Sequence, residues 1–309
     1  MLEREVIIWL LDGDPAIRWQ VRQDLLGENG AVVLVDREHI SSRGWGAELL
    51  ARQDPSGRWA SQLYDHKWIS TTYSLQLLRR MGLDPGNAQA QRGCQQLIEG
   101  GYQEGGAISF SKTVTGIDLG VCALTLSTLA YFGYPDQRVH AVAEFLLDQQ
   151  EREGSWKPEP GVDRLQYIFA STLLALESLR EYANLYQEDA ARVSEAQTRG
   201  REFLLQHHLF KNKDADQIFD QKMTRFSFPP RWHYDVLVAL DYFQACRTEK
   251  DDRLEQAIDL VKSKRRKDGT WNLQNRHPGK TFFEMEKVGQ PSRWNTLRAM
   301  RVLKWWHDT

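Results

Sequence analysis

Two kinds of helical stretch alternate along the chain. In the first, apolar residues recur every three or four positions and charge covers the opposite face, as in Arg92 to Glu99, Val139 to Gln150, Val193 to Gln206 and Leu254 to Arg265. In the second, apolar residues reach nearly all round: Trp68 to Met81, Ile117 to Phe132, Asp163 to Tyr182, Trp232 to Cys246 and Trp294 to Trp306. The run Val121-Cys122-Ala123-Leu124-Thr125-Leu126 has no polar face to offer water, so stretches of this kind are expected to be buried on both sides as an inner layer. The one-faced stretches form the outer layer. The start of the chain fits the same alternation, with Leu2 to Leu11 outer, Pro15 to Leu26 inner and Val35 to Arg52 outer. Turns from inner to outer helix are short and marked by Gly82, Asp84-Pro85, Gly133 and Pro135.

The connections from outer to inner helix repeat. Gln53-Asp54-Pro55-Ser56-Gly57-Arg58-Trp59 and Gln150-Glu151-Arg152-Glu153-Gly154-Ser155-Trp156 share the pattern Gln-x-x-x-Gly-x-Trp, and Gln103 to Ile108 and Arg266 to Trp271 are variants of it. Gly57, Gly106 and Gly154 follow at intervals of 49 and 48 residues, and the wider gap to Gly269 holds one more helix pair whose loop, Phe226 to Pro230, has degenerated. The expected fold is all-α: about six outer-inner hairpins closed into an (α/α)6 toroid, one domain over residues 1–309. A length of 309 residues would otherwise suggest two domains. A core that grows around a circle escapes the size limit of a compact one.

At these loops the sequence resembles the terpenoid cyclase and protein prenyltransferase superfamily, specifically the squalene-hopene cyclase-like proteins, with Gln53, Trp59, Gln150 and Trp156 at the positions of that family's repeat. The resemblance implies an α/α toroid with an apolar central cavity that binds, or binds and transforms, an isoprenoid or other small apolar ligand. Two motifs of the family's chemistry are incomplete here. Asp12-Gly13-Asp14-Pro15 stands where the acid-initiated cyclases have Asp-x-Asp-Asp, with Pro15 replacing the last carboxylate. Asp14 before Pro15 is also the pattern of a helix N-cap followed by proline. His233 resembles the zinc-ligand histidine of prenyltransferase β subunits, but no cysteine has aspartate two residues before it; Arg92, Gly120 and Gln244 stand there. No metal and no cofactor are expected.

Charge narrows the partners. Forty Lys and Arg against 42 Asp and Glu leave no basic field for nucleic acid. The apolar run Val6 to Leu11 is far shorter than a membrane span. Cys94, Cys122 and Cys246 form no pattern of paired cysteines, and with no leader segment the chain reads as a cytoplasmic protein.

Candidate chemistry gathers at the N-terminal ends of the inner helices, where the long loops converge and helix dipoles favour an anionic group. Asp118 and Asp163 stand there as a prospective acid-base pair, or as helix caps, and His233 as a pocket acid or base. Trp68, Trp232 and Trp294 recur at inner-helix starts, either as packing or as an aromatic cage. Arg164, Tyr167, Asp235 and Asn295 complete the ligand-binding candidates, Arg164 as a bidentate anion clamp. Trp305-Trp306 is expected to pack the last helix against the first hairpin. Besides ligand binding with or without catalysis, two alternatives remain: a non-catalytic ligand or peptide scaffold, and a glycan-active hydrolase or lyase working through paired carboxylates.

Overall fold

The computed structural model describes residues 2–111, 116–187, 189–213 and 217–308. They are almost wholly helical. The amphipathic helices are α1 (Leu2–Leu11), α3 (Ala31–Glu38), α4 (Gly44–Leu50), α6 (Ala88–Gly101), α8 (Arg138–Asp148), α10 (Ala190–Gln206) and α12 (Glu255–Ser263). Between them run α2 (Pro15–Gln20), α5 (Thr71–Met81), α7 (Leu119–Tyr131), α9 (Leu165–Leu185), α11 (Val236–Ala245) and α13 (Arg293–Asp308). Of these, α5, α7 and α11 are buried almost from end to end, α7 and α11 as their apolar runs require and α5 with Thr71, Thr72, Ser74 and Gln76 buried among its apolar side chains. One two-stranded ladder, β1 (Trp271–Asn272) with β2 (Pro291–Ser292), pairs antiparallel ahead of α13.

Three of the repeated loops act as clasps through the same tryptophan bonds. The indole N–H groups of Trp59, Trp156 and Trp271 donate to the carbonyls of Leu49, Leu146 and Val261 near the end of the preceding outer segment, each at 2.7 Å. The backbone N–H groups of the same tryptophans donate to Thr71, Thr172 and Thr296 Oγ1 on the following inner helix, at 3.1, 3.0 and 3.0 Å. Gln53 and Gln150 then reach forward to the next outer helix, donating to the carbonyls of Gln89 (2.8 Å) and Ala196 (2.9 Å). Three segments are thus fixed by one loop. Gly57, Gly106, Gly154 and Gly269 all take positive φ, between 85° and 98°, a region that side chains with a Cβ avoid.

Several boundaries differ from the sequence reading. The stretch Val35 to Arg52 is not one helix: it breaks between Glu38 and Gly44, because Gly44 adopts φ 66° and leaves room for the Asp14 carboxylate, which accepts from Trp45 N–H at 2.8 Å. A Cβ on Gly44 would sit 2.0 Å from Asp14 Oδ2. The other Asp14 oxygen accepts from Ala16 N–H at 2.9 Å, the N-cap expected ahead of Pro15. Trp68 and Trp232 lie before their helices, which begin at Thr71 and Val236, whereas Trp294 lies inside α13; the three tryptophans are not equivalent.

The last inner helix meets the first. Helix α13 packs against α11 on one side and α2 on the other. Arg301 Nη1 donates to Gln20 Oε1 and Asp24 Oδ2, both at 3.0 Å, and the Arg293 guanidinium lies 4.6 Å from the Trp9 ring centre. Of the last two tryptophans, Trp305 Nε1 donates to Thr248 O at 3.1 Å, and Lys250 lies over Trp306. No helix among the described residues is long and apolar enough to cross a membrane.

Candidate functional site

At the loop end, residues 273–290 between the two strands fold back over the space between the inner helices. Gln274 N–H donates to Phe226 O, and Lys280 N–H donates to Lys67 O at 2.7 Å. Trp68 Nε1 donates to the carbonyls of His277 and Pro278, both at 3.1 Å. The His277 imidazole stacks on His233 with ring centres 3.7 Å apart, and Trp232 also stacks on His233, at 3.8 Å. Only a small void of about 40 Å³ remains beneath, between Trp68, Phe228, Arg231 and His277. The mouth expected from the sequence is therefore plugged at its centre.

The plug decides the fate of several candidate residues. Trp68 is buried under it, with His233 edge-on to its ring at 6.0 Å. Burial, with help from His277, Lys67 and Lys222, lowers the His233 pKa to about 3; burial and Arg231 lower that of His277 to about 4. Both imidazoles are neutral at neutral pH. Asp235 is no ligand group: its buried carboxylate accepts from Val238 N–H (2.9 Å) and from Ser227 N–H (3.0 Å) and Oγ–H (2.9 Å), capping α11. Asn295 is likewise committed, donating to the carbonyls of Phe226 and Asn272. Trp294 stacks on Phe228, ring centres 4.1 Å apart, and with it lines a different cavity that runs between the helices.

Beside the plug a pocket of about 410 Å³ stays open over the N-terminal ends of α7 and α9. Its walls are Leu124, Leu174, Val162 and Pro158, with the rings of Tyr64, Tyr167 and Trp232. Tyr167 and Trp232 lie 6.1 Å apart, centre to centre. Lys67 Nζ stands 5.5 Å from the Trp232 ring centre. Asp118 is reached by solvent at the rim, yet the concave walls remove enough water to raise its pKa, and nearby Glu159 raises it further. Its Oδ1 accepts from Gly120 N–H at 2.8 Å, so it also caps α7.

The pocket thus brings together Asp118, Tyr167 and Trp232 and leaves out Asp163 and Arg164. Asp163 points to solvent and pairs with Lys157 at 3.1 Å. It neither caps α9 nor meets Asp118; Arg164 occupies the cap position, exposed, with no side-chain capping bond. The carboxylate that does share the pocket with Asp118 is Glu159, from the loop between the clasp and α9. Lys67, Glu159 and the segment 273–290 carry no periodic or motif signal, and only the fold brings them here. Among the described residues no group of three or more His, Cys, Asp or Glu is placed to hold a metal ion.

No family model matches the chain, and no curated protein does. Among solved structures it is similar to a crystal structure of a protein from Actinoplanes, with a TM-score of 0.50 and 16% identity over 98% of each chain. A likeness at that identity speaks for the fold and for no chemistry.

Proposed function

We propose that the helix pairs form a single α/α toroid of the terpenoid cyclase and prenyltransferase kind, and that it binds an isoprenoid or other small apolar ligand. The clasps, repeated with the same bonds, and the packing of α13 on both α11 and α2 support the toroid. One observation carries the ligand: the pocket of about 410 Å³ walled by aliphatic side chains and three aromatic rings, with Asp118, Glu159 and Lys67 at its polar edge. Its volume and mixed lining suit a small molecule with one polar end. If the ligand is transformed, Asp118, at the polar edge of the pocket, is the group positioned to exchange a proton with it.

The test is thermal unfolding with a series of polyprenyl alcohols and diphosphates. A ligand at a hundredfold excess over its Kd stabilises the fold by about 2.7 kcal/mol. Trp232→Ala should remove that gain; no shift with any member of the series would overturn the proposal.

The plug favours a second function, a non-catalytic scaffold, because it closes the centre and commits Asp235 and Asn295 to structure. A ligand retained through purification without turnover fits that function, whereas steady product formation rules it out. Glycan chemistry would need Asp118 to work with Glu159 in place of Asp163; unchanged rates for Asp118→Asn and Glu159→Gln on a glycan panel would remove it.

A further inference from the structure

Across Phe228 from the plug, a cavity of about 450 Å³ opens among the C-terminal halves of α2, α5, α9 and α11 and the side of α13 that carries Trp294, Arg298 and Arg301. The sequence suggested an apolar centre, but this cavity is lined by seven arginines and four carboxylates among the described residues. The arginines have a first cause in the fold, since helix C-termini turn about half a negative charge each into this space. Ion pairs account for many of them: Arg79 with Glu177 and Glu181, Arg80 with Glu177, and Arg301 with Asp24 and Asp241.

The carboxylates do not satisfy all the donors. Arg298 is 3% exposed; its Nε meets Asp241 at 3.3 Å and its Nη1 meets Ser227 O, but its buried Nη2 has no acceptor. Trp294, 1% exposed on the cavity wall, has an unpartnered buried Nε1, and Arg180 Nε is unpartnered as well. Arg37 donates to Gly82 O and the Tyr131 hydroxyl and lies over the Trp19 ring. A buried donor without an acceptor costs about 1 to 3 kcal/mol, more when charged, so three at one cavity call for an acceptor that the chain does not supply. The guanidiniums also crowd one another: burial holds Arg80 below its ordinary pKa, and Arg79 and Arg298 push the same way against Glu177.

We propose that this cavity is a second binding site, independent of the apolar pocket, for a small organic phosphate whose anionic oxygens accept from Arg298, Arg180 and Trp294. Phosphate presents several acceptors to planar guanidinium forks. The remaining space, bordered by Trp19, Tyr131 and Tyr242, takes the organic part.

The experiment titrates the whole protein with pyrophosphate and, separately, inorganic phosphate, against sodium chloride at equal ionic strength. It reads tryptophan fluorescence, to which Trp19 and Trp294 contribute from the cavity wall, together with the melting temperature. Saturable quenching and a rise of several degrees are expected with pyrophosphate, together with a weakening of about tenfold or more in Arg298→Gln. Because Arg298 also holds Ser227 and Asp241, a second variant, Arg247→Glu at the exposed rim, should fold normally and weaken binding in the same direction. Trp232→Ala, in the apolar pocket, should leave the phosphate response unchanged, which separates the two sites. The proposal is overturned if pyrophosphate does no more than salt, or if its effect survives Arg247→Glu and Arg298→Gln undiminished.

Discussion

A single glycine per clasp lets three segments meet. A Cβ on Gly154 would stand 2.3 Å from Arg199 O on the next outer helix, at φ 98°. Gly105 has nearly the same strain, φ 86°, but open space around it. Gly154→Ala should therefore cost at least about 2 kcal/mol more than backbone strain alone, whereas Gly105→Ala should cost about 1 kcal/mol. Urea unfolding of the two variants measures the difference; equal losses would mean that the close approach does not matter. These residues were legible in the sequence because clasp, spacing and helix pattern agree locally. Asp163 was misplaced for the opposite reason. Its position at the edge of a hydrophobic run says nothing of where the loop turns its side chain, and Glu159, four residues earlier, carries no signal until Pro158 and Val162 form a wall with it.

At the level of elements, the alternation of fully apolar and one-faced stretches gave helix type and order correctly, and it failed where tertiary bonds outweigh local pattern. The break at Gly44 depends on Asp14, thirty-one residues away. The plug depends on stacked histidines that no period reveals. That stack makes the molecule sensitive to acid. Both imidazoles have folded pKa values, about 3 and about 4, below the ordinary histidine value. Between that ordinary value, about 6.5, and the lowered ones, the unfolded chain binds more protons than the folded one, so stability is full above about pH 6.5 and falls as pH falls. The slope for each histidine is at most about 1.4 kcal/mol per pH unit. Melting temperature followed from pH 7 downward should fall through this window, and His277→Phe, which keeps a flat ring in the stack, should flatten the fall. An equally steep profile in the variant would show that the acid response arises elsewhere.

Over the whole molecule, the two ends of the inner helices are chemically unlike. The loop end is aromatic and covered; the other is ionic and open, with guanidiniums facing the carbonyl ends of the helices. The sequence pointed to the loop end because its motifs lie there. It did not reveal the arginine cavity, since Arg79, Arg180, Arg298 and Arg301 are spread over α5, α9 and α13 and converge only when those helices pack side by side. Arg301 ties this end together. Arg301→Met would leave Asp241, largely buried and holding both Arg301 and Arg298, short of a partner, and should cost up to about 3 kcal/mol. Arg301→Lys should recover part of it. A loss under about 1 kcal/mol in denaturant unfolding would show the pair to be a surface-like one.

The seam made by that same arginine also has a bearing on time. Its bond to Gln20 joins residues 281 positions apart, while the clasps and neighbouring helix pairs join residues tens of positions apart. Closing so long a loop is entropically favourable only after the intervening pairs have assembled and brought α13 beside α2. Formation of the seam should then come after the rate-limiting step of folding, and its rupture should come early in unfolding. Stopped-flow kinetics of Arg301→Met would show unfolding accelerated and refolding little changed, and hydrogen exchange would be fastest, among the buried helices, along the facing sides of α2 and α13.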